Sequence, residues 1–247
     1  MRLAVISDIH GNSFALDTFL EDIKNEAPDQ IVCLGDAIQA GAQPAETVAT
    51  LRDLKIPTVM GNADAWLLSG NVTADEGHSS ERMSRMEEIR LWSLSKLSSE
   101  DQQFITEFKP TIRVGLGDGQ ELLCFHGTHR DFDELLFPWD PEERFREILG
   151  PENATYFCGG HTHIQFIRHI GRRFFFNPGS VGFAARHDQD PSPSHLDPWA
   201  EYGIISIELG KVSLEFRRVP LDVPKMLEII RESGRPYAET LIGEYGK

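Results

Sequence analysis

Apolar residues in this chain come in short runs that alternate between two spacings. "LAVIS" (3–7) is continuous, as in a strand covered on both faces, and "IVCLG" (31–35) and "PTVMG" (57–61) repeat it. Between them, "SFALDTFLEDIKNEA" (13–27) carries Phe14, Leu16, Phe19, Leu20 and Ile23 at helical spacing, and "PAETVATLRDL" (44–54) gives a second helix. Strands alternating with helices predict βαβ units and a mostly parallel sheet.

The pattern then changes. Residues 64–109 carry mainly helical signals, with a helix start at Ser98 or Ser99 before Glu100 and Asp101. Strand signals resume at "TIRVGL" (111–116) and "ELLCFHG" (121–127), separated by the turn Gly117-Asp118-Gly119. "IQFIRHI" and "RRFFFNP" read as a hairpin turned at Gly171, and 202–219 as another turned at Gly210-Lys211. "VPKMLEIIRESG" (223–234) predicts a closing helix, and the proline-bearing stretch 185–202 a surface loop. The expected class is α/β: one domain over 1–247, a sandwich on mixed sheets, with 64–109 as a helical insert or cap.

Charge and cysteine usage narrow the function. With 39 acidic against 24 basic residues, the net charge of -15 repels polyanions, so long nucleic acid is not an expected partner. No apolar run approaches the roughly 18 residues of a membrane span, and the run of four after Arg2 is too short for a signal-peptide core. The expectation is a cytoplasmic protein without membrane contact. Cys33, Cys124 and Cys158 each lie in an apolar run just before a polar motif, and no C-x-x-C pair occurs, so they read as small core residues.

The candidate chemistry lies where the apolar runs stop. They end on Asp8-Ile9-His10, Gly35-Asp36, Gly61-Asn62-Ala63-Asp64, His126-Gly127 and Gly160-His161-Thr162-His163. Taken singly, each block is as consistent with a turn as with a site. Five in one chain, each at a strand terminus, predict convergence, because sites in open α/β sheets gather at the carboxyl ends of strands. Two carboxylates, one amide oxygen and four imidazoles are too many for one tetrahedral ion. They suit two divalent ions sharing a carboxylate, and mixed N/O ligation without thiolate favours Mn, Fe, Zn, Co or Ni. Two ions outweigh two carboxylates, so the centre can attract a phosphate despite the acidic surface.

These blocks resemble those of the calcineurin-like metallophosphoesterase superfamily, D-x-H, G-D, G-N-x-[D/E], H-G and G-H-x-H. "FFNPGSVG" (175–182) is similar to its small bacterial and archaeal phosphodiesterase branch. The resemblance implies a β-sandwich of two mixed sheets flanked by helices. By position, it implies Asp8, His10 and His163 on one ion, Asn62, His126 and His161 on the other, and Asp36 as the bridge. It implies hydrolysis of a small phosphodiester by a hydroxide shared between the ions. The alternatives are a phosphomonoesterase or protein phosphatase on the same centre, or a scaffold that does not turn over. One position departs from the pattern. Many members carry histidine where Ala63 stands, which leaves Asp64 without an imidazole to orient. His78 or His129 is then a candidate proton donor. His129 and Asn12 are also candidate substrate-binding residues, Asn12 being equally consistent with a helix cap. Arg130 and Arg186 lie near motifs and are candidate clamps for a monoester.

Overall fold

The computed structural model describes residues 1–71, 80–185 and 195–245. Strand β1 (Arg2–Ile6) leads into helix α1 (Ser13–Ile23) and strand β2 (Gln30–Cys33). Helices α2 (Pro44–Asp53), α3 (Asn62–Ser69), α4 (Ser80–Lys96) and α5 (Ser99–Thr106) follow. Then come β3 (Ile112–Gly117), β4 (Gln120–Cys124), α6 (Glu142–Leu149), β5 (Tyr156–Cys158), β6 (Gln165–Ile170) and β7 (Arg173–Pro178). The chain closes with β8 (Trp199–Glu208), β9 (Lys211–Pro220), α7 (Val223–Glu232) and α8 (Ala238–Tyr245).

The strands form two mixed sheets, ordered β2-β1-β8-β9 and β3-β4-β5-β7-β6. In the first, β1 runs parallel to β2 and antiparallel to β8. In the second, β4, β5 and β7 are mutually parallel, and β3 and β6 flank them antiparallel. Period-two alternation splits the inner strands between two cores. Leu3 and Val5 of β1 meet Leu122, Cys124, Cys158 and Phe176 of the other sheet inside the sandwich. Ala4 and Ile6 face the other way, toward Leu16 and Phe19 of α1 and Met226 and Ile230 of α7. On the far side, Leu123, Phe157 and Phe175 pack against Phe145, Ile148 and Leu149 of α6.

The architecture is the expected α/β sandwich with a helical insert. All three cysteines are free and buried, with the Sγ atoms of Cys124 and Cys158 3.4 Å apart across β4 and β5. The run 57–61 does not become a strand. It makes only the bridges Cys33↔Thr58 and Val59↔Lys109, and Pro57 has no N–H to extend the ladder. The start expected near Ser98 is a capping box, in which Ser98 and Asp101 satisfy each other's backbone. Two short helices, α6 and α8, had no counterpart in the sequence reading.

Candidate metal centre

Parallel strands point their carboxyl ends the same way, and the ligand blocks follow those ends. The loop after β1 is stitched to the loop after β2 by Asp8 N–H to Gly35 O (3.0 Å) and His10 N–H to Asp36 O (2.8 Å). The loop after β5 is stitched to that after β4 by Gly160 N–H to His126 O (2.8 Å). The two sheets meet where His126 Nδ1 donates to Leu34 O (2.9 Å) and His161 N–H to Asp8 Oδ2 (3.1 Å). Gly160 makes that approach feasible, since a Cβ there would stand 2.0 Å from Ser7 Oγ.

Six side chains fall into two clusters, Asp8–His10–His163 and Asp36–His126–His161. Asn62, at the start of α3, joins the second, its Oδ1 2.9 Å from His126 Nε2. Asp36 stands between them. Its Oδ2 is 3.7 Å from His10 Nε2 and 3.4 Å from His126 Nε2, while its Oδ1 accepts Ala63 N–H at 2.8 Å. One oxygen of Asp36 therefore faces both clusters.

The donor set fits cations. Nδ1 of His10, His126 and His163 donates to the carbonyls of Gln39 (2.9 Å), Leu34 (2.9 Å) and Phe183 (2.7 Å). A carbonyl only accepts, so each Nδ1 bears the hydrogen and each neutral ring turns a lone pair inward at Nε2. These lone pairs face other acceptors. His10 Nε2 lies 3.1 Å from His163 Nε2, and His126 Nε2 lies 3.2 Å from His161 Nδ1. Asp8 Oδ1 is buried without a hydrogen-bond partner. Acceptors that converge in a buried site need protons or metal ions between them. Without metal, the site takes protons. Burial alone would lower His126, but Asp36 and Asp8 outweigh it and push the imidazole up to about 9. His163 is raised in the same way, its burial offset by Asp8. Burial lowers His161, helped by neighbouring His126, to about 4, and lowers His10 as well. Burial opposes ionisation of Asp8 and Asp36, yet His163 beside one and His126 beside the other hold both below the usual carboxylate range.

Residues 1–196 match the family model for the calcineurin-like phosphoesterase superfamily domain. The chain belongs to that superfamily. An uncharacterized protein of Methanocaldococcus jannaschii is 31% identical to this calcineurin-like chain over 95% of its length and 93% of the relative's. Among solved structures, a metallophosphoesterase from Sphaerobacter thermophilus superposes with TM-score 0.75 at 24% identity, covering 99% and 97% of the two chains. A hypothetical protein from Pyrococcus horikoshii gives TM-score 0.79 at 19% identity, covering 98% and 97%. Both likenesses carry the fold.

The other candidate residues of this superfamily member have different surroundings. Asn12 is a buried cap on α1: Oδ1 accepts Ala15 N–H at 3.1 Å and Nδ2 donates to Gly182 O at 3.1 Å. His129 Nε2 lies 3.5 Å from Glu152 Oε1, and its ring packs edge-on to Phe125 on the α6 side of the sheet. Arg130 is turned onto Glu134 by two hydrogen bonds, at 2.8 and 2.7 Å. His78 and Arg186 lie outside the described residues.

What the sequence reading missed is the layer beneath the ligands. Asn177 donates to Gly160 O (2.7 Å) and Thr162 Oγ1 (3.0 Å), fixing the loop of His161 and His163. Ser180 Oγ donates to Asp8 O (2.7 Å) and accepts Phe183 N–H (2.8 Å). The Phe183 ring stacks on His10 with centroids 5.0 Å apart. "NPGSVGF" thus ties both ligand loops together. The signal available in sequence was its run of small and turn-forming residues directly after an aromatic strand.

Proposed function

We propose that this chain is a two-metal phosphodiesterase acting on a small soluble phosphodiester. The observation that carries the reading is the single Asp36 oxygen facing two acceptor clusters, the arrangement a bridging ligand needs. Asp8, His10 and His163 would hold one ion, and Asn62, His126 and His161 the other. Divalent ions held there, from among Mn, Fe, Zn, Co or Ni, would supply Lewis acidity toward phosphate and lower the pKa of water. The chain's own residues supply position. Three backbone carbonyls fix the imidazole tautomers, and the buried carboxylates set the charge of the floor.

Among the described residues, the candidate clamp Arg130 turns onto Glu134 rather than toward the clusters, which favours diester over monoester. A phosphomonoesterase on the same centre is the second reading. A cytoplasmic setting belongs to the proposal too, consistent with three thiols kept unpaired. Among the described residues, no helix is long and apolar enough to cross a membrane. The deciding experiment loads the protein with Mn²⁺ and compares kcat/KM for an aryl phosphodiester and the matching aryl monoester. The diester should be preferred and a chelator should abolish turnover. A preference for the monoester would transfer the assignment to the second reading.

A further inference from the structure

Asp64 is fully buried and two residues from a candidate ligand, yet it belongs to neither cluster. Its Oδ2 accepts Ala37 N–H and its Oδ1 accepts Ile38 N–H, both at 3.0 Å. Those are the two peptides immediately after Asp36, whose own backbone sits in the left-handed region at φ 48°. The same turn reaches the other cluster, since His10 N–H donates to Asp36 O and Gly11 N–H to Ala37 O, each at 2.8 Å. On the other side of Asp64, Ala63 N–H takes Asp36 Oδ1. A carboxyl group whose two oxygens accept two adjacent amides fixes a peptide turn from both sides. Asparagine in its place would turn an NH₂ toward one of the two N–H groups.

We infer that Asp64 is a positioning residue for the bridge: it clamps the Asp36 turn so that, with Oδ1 held by Ala63, Asp36 presents Oδ2 alone to both ions. The inference rests on the two-ion reading of the site, not on any choice of substrate. It also gives the acid of the third block a task that needs no histidine at position 63. Ala63 removes the imidazole such an acid would orient, but the amides of Ala37 and Ile38 remain.

The test is metal affinity. Metal-free wild-type and Asp64→Asn proteins are titrated calorimetrically with Mn²⁺, with folding of each confirmed by circular dichroism. Groups that orient ligands typically change metal affinity by about 10–100-fold. The expected result is two Mn²⁺ per wild-type chain, with at least one event weakened by that factor in the variant. Wild-type affinity for both ions in Asp64→Asn would overturn the inference, and so would a wild-type protein that binds fewer than two. A purely structural role would lower the melting temperature without changing Mn²⁺ affinity, which counts against it equally. Should Asp64→Asn fail to fold, amide exchange in the wild-type protein decides. Ala37 and Ile38 N–H should be strongly protected, and exchange at the rate of open loop amides refutes the clamp. Two-ion binding without hydrolysis of any diester would sink the proposed function and leave this inference standing.

Discussion

Gly182→Ala adds one methyl group behind the loops that carry the two clusters, and the structure says where it goes. A Cβ at Gly182 would stand 1.9 Å from the carbonyl oxygen of Ile9 and 2.7 Å from its carbon. Favourable contact begins near 3.5 Å, so the two segments must part by roughly 1.5 Å. Gly182 cannot easily yield. Its N–H donates to Asp8 O at 3.1 Å, and its carbonyl accepts from Asn12 Nδ2 and from Tyr245 Oη at 2.7 Å. Ile9 is fully buried and lies between Asp8 and His10, so the displacement passes to two members of one cluster. Overpacking of this kind costs about 1–3 kcal/mol, which lowers Tm by several degrees in a chain this long. Mn²⁺ affinity of that cluster should fall about 10–100-fold. Calorimetric titration and thermal melts of the two proteins measure both effects. Gly243→Ala is the control, because nothing lies within 4 Å of its Cβ and it sits in α8. That change should stabilise slightly, by up to about 1 kcal/mol, and leave metal binding alone. Wild-type Mn²⁺ affinity and an unchanged melt in Gly182→Ala would show that this contact does not hold the ligand loop.

Three further outcomes are expected. Asp36→Asn should lose more turnover than His10→Ala, since Asp36 Oδ2 faces both clusters and His10 belongs to one; equal small losses at saturating metal would contradict the bridge. Ala63 offers no proton to a leaving oxygen, so rates should fall steeply as leaving-group pKa rises across aryl and alkyl diesters. Ala63→His should flatten that dependence by about 10²-fold, the low end for general acids because both Asp64 oxygens already hold amides; a shallow wild-type dependence would refute it. Burial lifts Glu201 from 4.5 to about 7 despite the opposing charge of Arg218, so ionising it in the folded chain is unfavourable. Its contribution is fully present below about pH 4.5 and is lost as pH rises through 7, by up to about 3 kcal/mol. Glu201→Gln should reduce the decline in Tm between pH 5 and 8, and identical pH profiles would exclude the effect.

The two clusters could be read from sequence because they are written in side chains: Asp, His and Asn have few reasons to end five apolar runs together. The second layer is written largely in backbone, which sequence does not spell out. The acceptors for His10, His126 and His163 are carbonyls of Gln39, Leu34 and Phe183, and any residue there offers the same oxygen. Asn12 reads equally as a substrate contact or a cap because both use the same amide, and the cap itself is visible only in its hydrogen bond from Ala15 N–H. Helix α6 hid behind five charged residues in eight, its apolar face reduced to Phe145, Ile148 and Leu149. The run 57–61 has a strand's composition, but the partners it has are Cys33 and Lys109 in single bridges, a tertiary outcome that composition does not encode.

Backbone strain connects the two layers. Asp8, His10, Asp36, His161 and His163 all have positive φ, between 48° and 69°. In D-x-H and H-x-H alike, the outer two residues are left-handed and the middle one is not. In an extended strand the residues at i and i+2 already share a face, so alternation alone cannot explain the kinks. In the first loop the kinks let Asp8 and His10 turn into the site while Ile9 stays in the core between the sheet and its helices. A left-handed non-glycine residue costs on the order of 1 kcal/mol, somewhat less for Asp and His. Five of them approach 5 kcal/mol, comparable to the low end of a domain's net stability. Such a loop persists only where its surroundings over-determine it. This accounts for the buried polar residues beneath the ligands, where Asp64, Asn177 and Ser180 hydrogen-bond to the backbone of these strained loops rather than to the ligand side chains. The candidate site is therefore backed by three buried side chains that hydrogen-bond to its loop backbone, and mutating them should weaken metal binding before it disturbs the fold.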